Sequence, residues 1–303
     1  MSEKIPVLFL IFKRLETTLE AFKPIASYKP NRLYIAADGP RDYVKNEKEE
    51  CESLRKKILE LVDWECEVKT LFREKNLGCT QAVNDGISWF FENEQYGIIN
   101  EDDIVLSKDF FLLCEELLPM YKDDERIMMI SSQNHSGRYL KSNKYVFNLN
   151  ANIWGWATWN RAWAKMDLNI SNWKKVKKLN LIQDFGLFKG IMFWRNYHQA
   201  YKDIEKGSWD TRWGFVVWNN KGLVATPLVN LSRNVGIGGD GGAHYTQDDV
   251  DPYQHLEIGH LERPYVHPEK IEVDSIQNKE DRKDYFRFKM VGFKKILKKI
   301  FRH

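Results

Sequence analysis

The chain has 303 residues, 43% of them hydrophobic and 29% charged, with a formal net charge of +3. This is globular composition, too evenly charged for nucleic acid to be a main partner, and no run reaches the ~20 apolar residues of a membrane span. Cys51, Cys66, Cys79 and Cys114 form neither a C-x-x-C pair nor a metal-like spacing with histidine, and read as buried or inert thiols of a reducing compartment.

The first element, "VLFLIF" (7–12), is a continuous apolar run of strand length, as expected of a strand buried on both faces of a parallel sheet. Its apolar core is too short for a signal peptide, and Lys13 and Arg14 follow at once, so a cytoplasmic location is expected. "ETTLEAFKPIASY" reads as a helix, and "RLYIAADGPR" as a strand ending at Ala37 before an Asp38-Gly39-Pro40 turn. Cys51, Leu54, Ile58, Leu61 and Val62 recur with helical period, "CEVKTLF" is a third strand, "TQAVNDGISWFF" a helix, and "YGIINEDDIVL" contains a fourth strand. Alternating strands and helices predict an α/β fold with a mostly parallel sheet between helix layers. Ligands of such sheets bind beyond the carboxyl ends of the strands, where Arg14, Asp38 and the run Glu101-Asp102-Asp103 all fall.

Beyond about Leu140 the texture changes, and nine of the 11 tryptophans lie between Trp154 and Trp218. The expected organisation is a first half over 1–140, an aromatic-rich second half over 141–264 that includes a glycine-rich run, and a tail over 265–303. "VHPEKIEVDSIQNKEDRKDYF" in that tail is polar and reads as a linker or an exposed helix. "FKKILKKIFRH" sets Phe293, Ile296, Leu297, Ile300 and Phe301 on one helical face and lysines and arginine on the other. That is the pattern of a helix lying on an anionic membrane, or of one docking its apolar face on the protein body. The first reading predicts peripheral attachment at the inner face of the membrane.

Three consecutive acids after a buried strand are either an acidic solvated loop or a divalent-cation site. The apolar residues on both sides favour the cation, since Mg²⁺ and Mn²⁺ are held by one or two carboxylates plus ligand phosphates. Neither G-x-x-x-x-G-K-[ST] nor G-x-G-x-x-G after the first strand is present, which removes support from P-loop and dinucleotide readings.

"VLFLIFKR", "AADGPR", "EKNLGCTQAVNDGI", "IINEDDIVLSKDFF", "NIWGWATWNRAW" and "NLSRNVGIGGDGGAHY" occur in this order. Together they resemble a GT-A (nucleotide-diphospho-sugar transferase) glycosyltransferase. The resemblance is to the inverting family that includes the N-acetylglucosaminyltransferase initiating N-glycan branching, and to related bacterial sugar-nucleotide transferases. It spans roughly residues 5–250, and it makes 1–140 the nucleotide-sugar-binding half and 141–264 the acceptor-binding half. It implies that Asp103 coordinates Mn²⁺ or Mg²⁺ on the phosphates of a nucleotide-sugar donor, with UDP as the expected nucleotide. By the same resemblance Asp102 and Glu101 face the ribose or sugar, Arg14 contacts the nucleotide, Asp38 accepts a hydrogen bond from uracil, and Asn76 and Gly78 line its pocket. The glycine-rich "VGIGGDGGAHY" (235–245) matches a segment that closes over the donor, and His244 is placed near metal or phosphate.

Inverting transfer needs a base for the acceptor hydroxyl. Asp210 in "GSWDTRWGF" is the candidate, although the family has paired acids there and this chain has Asp210-Thr211-Arg212. Asp184 and Asp240 are the alternatives, and Asp210 could instead cap a helix starting at Thr211. Of Trp154, Trp156, Trp209 and Trp213, at least one is expected at the acceptor site and the rest in the core. The expected activity is sugar transfer to a glycan or lipid-linked acceptor in surface polysaccharide synthesis. The alternatives are a catalytically silent carbohydrate-binding protein and a sugar nucleotidyltransferase, although "FKRLETT" lacks the glycine- and arginine-rich loop usual in the latter.

Overall fold

The computed structural model describes residues 4–203, 208–236, 253 and 256–283. Strand β1 (Val7–Ile11) is buried along its whole length. Its alternating side chains feed two cores, Val7, Phe9 and Ile11 into one and Leu8 and Leu10 into the other. Helix α1 (Leu15–Tyr28) buries Thr18, Ala21, Phe22 and Ile25 at helical spacing on the first core. Strand β2 (Arg32–Ala37) pairs parallel with β1, helix α2 (Glu47–Glu60) turns Leu54 and Ile58 inward, and β3 (Glu67–Phe72) pairs parallel with β2. Helix α3 (Cys79–Phe91) lies on the opposite face, with Ile87, Phe90 and Phe91 in the second core. Strand β4 (Tyr96–Glu101) pairs parallel with β1 on its other side.

The apolar-acidic-apolar run then divides. β4 stops at Glu101, Asp102 and Asp103 form a turn, and β5 (Ile104–Leu106) leaves the main sheet. It pairs instead, antiparallel, with the distant β10 (Ser232–Asn234). Helix α4 (Lys108–Met120), capped by the Ser107 hydroxyl, packs Phe110, Phe111, Leu113 and Leu117 into the first core.

After α4 the chain returns to the same sheet. Strands β6 (Ile127–Ser131), β7 (Lys141–Asn148), β8 (Trp156–Trp159), β9 (Leu223–Pro227) and β11 (His260–Val266) extend it to the order β11-β7-β9-β6-β8-β4-β1-β2-β3. β8 runs antiparallel between β4 and β6, so the sheet is mixed but mostly parallel. A short helix α5 (Asn160–Trp163) follows β8. Helices α6 (Lys178–Phe185) and α7 (Leu187–Lys202) form a satellite core around Trp173, Phe185, Tyr197 and Phe215. Helix α8 (Trp209–Asn219) brings Trp209, Trp213, Val216 and Val217 onto the second core beside α3.

The polar stretch after β11 differs from the linker or exposed helix read from the sequence. Residues 275–283 are helical, but Gln277 and Asp281 point inward and are buried, bonded to Asn134 and Asn150. The basic helix expected at 290–303 lies outside the described residues. Among those described, no helix is long and apolar enough to cross a membrane.

Candidate active site

A cavity of about 770 Å³ opens at the carboxyl ends of β1, β2 and β4. One wall is the acidic turn. The Asn100 side chain, buried under that turn, donates to the Ile104 carbonyl at 2.9 Å and closes it. Arg14, the last residue before α1, reaches across with Nη2 to Asp102 Oδ1 and, at 3.0 Å, to Asp103 Oδ2. One guanidinium therefore bonds two of the three neighbouring carboxyls, and its charge also acts on Glu101. Burial drives Glu101 well above the usual carboxylate range, and Asp103, Asp102 and Asp210 add to the effect. Burial also pushes Asp102 up to about 6, against the pull of Arg14. Burial would lower the Arg14 guanidinium, but the two aspartates outweigh it and hold it above its ordinary range.

The opposite wall is held by Asp38. Its Oδ1 accepts from the backbone N–H of Gly39 (2.8 Å) and Leu77 (2.9 Å), and its Oδ2 from Gly78 N–H and the Asn76 side chain, both at 3.0 Å. Asn76 also donates to the Gly39 carbonyl at 2.8 Å. Gly39 has no room for a Cβ against the Lys75 backbone, and Gly78 enters α3 at φ +79°, a conformation that favours glycine. Asp38, Asn76 and Gly78 thus sit together on the cavity. The Asp38 oxygens, however, are fully engaged in folding the 76–78 loop onto the end of β2.

Asp210 enters from a third side, in the first turn of α8. It does not cap a helix starting at Thr211. Ser208 occupies the N-cap position, and the helix begins at Trp209. The Asp210 carboxylate is half-buried, with no hydrogen-bond partner among the described residues. Its neighbour Arg212 is fully buried and donates to the Leu168, Ser208 and Ala200 carbonyls, which fixes the start of α8. Asp184, the alternative base, lies elsewhere, accepting from the Trp218 indole at 2.7 Å. Asp240 and His244 lie outside the described residues, as does the glycine-rich run after Gly236. Of the four tryptophans, Trp154 and Trp209 line the cavity while Trp156 and Trp213 are core.

Several lining residues went unread in the sequence. Arg41 and Arg73 follow strands β2 and β3 just as Arg14 follows β1, so position relative to strand ends could have found them. Arg41 is steadied by Glu47, which is fully buried, also takes Lys13 Nζ at 2.9 Å, and is lowered to about 2 by its bonds to Arg41. Cys79, read from the sequence as a buried or inert thiol, is exposed as a residue and faces the cavity. Desolvation of its sulfur at the cavity wall, with Glu101 and Asp210 nearby, pushes the thiol up to about 12. Gly236 closes over the acidic turn. A Cβ there would stand 2.5 Å from Asp103 Oδ2 and 2.7 Å from Arg14 Nη1, and Val235 N–H donates to the Asp103 carbonyl at 2.8 Å.

The donor set suits a hard divalent cation. It is all oxygen, mutually repelling, and includes a buried Asp102 Oδ2 with no hydrogen-bond partner. Among the described residues no group of three side chains could hold a metal alone, so the fit is to an ion completed by ligand oxygens.

No protein-family model matches the chain, and neither does any curated protein. Solved structures are similar to it only loosely. HddC from Yersinia pseudotuberculosis is 10% identical with a TM-score of 0.30, over 52% of this chain and 77% of that one. The same protein complexed with GMP-PN is 8% identical with a TM-score of 0.31, over the same shares. The inositol-1-phosphate CTP transferase from T. maritima is 9% identical with a TM-score of 0.38, over 75% of this chain and 86% of that one. Similarity at this level carries no argument about activity, which rests on the site.

Proposed function

We propose that the chain is a metal-dependent inverting glycosyltransferase of the GT-A kind, which moves a sugar from a nucleotide diphosphate, UDP by resemblance, to a saccharide hydroxyl. The observation that carries this reading is the under-compensated acidic turn facing Asp210, which has no hydrogen-bond partner among the described residues, across one cavity large enough for a nucleotide sugar. Asp103 would hold the cation, with Asp102 and Glu101 beside it toward the ribose or sugar. When bound, Mn²⁺ or Mg²⁺ neutralises the charge of the departing diphosphate. Arg14, Arg41 and Arg73 surround the phosphates with positive charge. The loop folded by Asp38 forms the nucleoside wall. Asp210 takes the proton of the acceptor hydroxyl as its oxygen bonds to the anomeric carbon and the bond from that carbon to the phosphate oxygen breaks.

A second reading is a nucleotidyltransferase that makes a sugar nucleotide, the class to which the similar CTP transferase belongs by name. The short β1–α1 connection speaks against it. Only Phe12, Lys13 and Arg14 separate the two elements, too few residues to wrap a triphosphate. The deciding experiment offers the protein UDP-sugars and, separately, nucleoside triphosphates with sugar 1-phosphates, each with and without Mn²⁺. Metal-dependent UDP release, lost in Asp103→Ala, supports the transferase. Pyrophosphate release from a triphosphate replaces it with the nucleotidyltransferase. Metal-dependent binding without turnover of either, in the presence of acceptors, leaves a silent binding protein.

A further inference from the structure

A second cavity, of about 270 Å³, adjoins the first, and Asp210 lies on the wall of both. It is bounded by α7, α8, the segment after β7 and the helical residues 275–283. We infer that this second cavity holds the acceptor, and that the acceptor is a neutral saccharide presenting one hydroxyl to Asp210. The inference rests on the nucleotide-sugar reading of the first cavity and names the substrate class of the adjoining one.

Three observations carry it. First, the position is right. In a displacement reaction the acceptor hydroxyl must touch the base while its own ring lies outside the donor pocket, and a carboxylate shared by two cavities meets that condition.

Second, the polar lining is organised for hydroxyl groups. Buried Asp281 accepts from Gln277 Nε2 at 2.8 Å and from the Asn150 side-chain amide, whose oxygen in turn accepts from Lys189 Nζ. Among the described lining residues the positive Lys189 and negative Asp281 offset one another and Asp210 adds negative charge, which disfavours an anionic ligand. What the network offers is a mixture of donors and acceptors, the pattern that pairs with a polyol.

Third, aromatic rings edge the polar strip. Half-buried Phe193, backed at 5.5 Å by the buried Tyr197, lies on α7, and His135 stacks at 4.0 Å on Tyr253. The C–H faces of a sugar ring pack on such surfaces.

Gly214 on α8 keeps the cavity open. Among the described residues a Cβ there meets only Tyr197 Oη, at an ordinary 3.5 Å, so alanine fits and a larger side chain must enter the cavity. Gly214 does not line the nucleotide cavity. Asn196, exposed on α7, lies at the rim and allows the mouth to be blocked without disturbing the interior.

The test is saturation-transfer NMR on the full chain with UDP and Mn²⁺ present. The neutral probes are methyl glycosides of glucose, galactose, mannose and N-acetylglucosamine, and the anionic probe is glucose 1-phosphate. UDP affinity is measured in parallel by calorimetry, and folding by thermal melts. The expected result is transfer to at least one neutral glycoside. Filling the cavity should reduce it about fivefold or more in Gly214→Leu and Asn196→Tyr but not in Gly214→Ala, with UDP affinity held within about twofold throughout. If Gly214→Leu does not fold, Asn196→Tyr carries the comparison. Transfer that neither blocking variant reduces overturns the assignment. So does a protein that binds UDP but none of the neutral probes, or glucose 1-phosphate binding in their place. Glycoside binding that is lost in the blocking variants, in a protein that binds no nucleotide, upholds the saccharide cavity and removes the transferase reading.

Discussion

Asp38 and the Glu101–Asp103 run end the two strands that flank β1, yet their carboxylates are satisfied in opposite ways. Asp38 receives three backbone N–H groups and one side-chain amide, all from its own turn and the 76–78 loop. Asp102 and Asp103 share the guanidinium of Arg14, the Phe12 backbone N–H also helps Asp102, and among the described residues one buried oxygen of Asp102 has no hydrogen-bond partner. The cause is local backbone geometry. Glycines at 39 and 78 let two loops approach closely enough to turn three N–H groups onto Asp38, whereas the chain leaves the acidic turn as β5 to pair with the distant β10. A satisfied carboxylate is a fastener. An under-satisfied cluster retains affinity for a cation.

This contrast can be broken most directly with Asp103→Ala. The variant is expected to lose about 10²-fold or more of metal-dependent donor turnover, the scale of removing a group that stabilises transition-state charge, while melting near the wild-type temperature. Chelation of the wild type should give the same loss, and chelation of the variant none beyond it. Asp38→Ala should behave in reverse. Removing the acceptor of four hydrogen bonds is expected to lower unfolding free energy by about 2–4 kcal/mol in urea titrations, with or without Mn²⁺. An Asp38→Ala protein of unchanged stability would mean that the loop is held by something other than this carboxylate.

Gly236→Ala sharpens the comparison on the acidic side alone. The added methyl must displace Asp103 or Arg14, so Mn²⁺ affinity should fall about tenfold in calorimetry with little change in melting temperature. The smallest expected effect is in the pH dependence. Asp102 sits at about 6 in the folded chain against an ordinary 3.8, so between those values the folded state binds protons more tightly than the unfolded one. Its contribution to stability therefore falls as pH rises from about 4 to about 6, and a cation restores it above that range by taking the place of the protons. Mn²⁺ should raise the melting temperature at pH 7.5 and leave it nearly unchanged at pH 5. An equal rise at both values would place the ion away from these acids.

Much of the first half could be read directly. The apolar run at 7–12, the period-3.6 pattern of Cys51, Leu54 and Ile58, and the turn at Asp38-Gly39 each follow from spacing within a few residues, and the observed elements match them within a residue or two at most ends. Asp38, Asn76, Gly78, Glu101, Asp102, Asp103, Arg14 and Asp210 do line or flank one cavity, because residues just past the carboxyl ends of parallel strands share one edge of the sheet. The second half was less legible. β8 inserts antiparallel between β4 and β6 under tryptophans that sequence alone could not sort into wall and core, and the inward-facing Gln277 and Asp281 lie in a stretch too polar to suggest burial.

By itself, then, the sequence determined which segments become strands and helices and which charged residues stand at strand ends, since periodicity and turn chemistry act over a few neighbouring residues. Tertiary structure alone decided how each charge is answered. Asp38 is filled by amides some forty positions away, Arg14 reaches acids nearly ninety positions along the chain, and Asp210 faces two cavities at once. Hydrogen-bond satisfaction and desolvation depend on groups that only folding brings together, and they separate a structural carboxylate from one left open to a ligand.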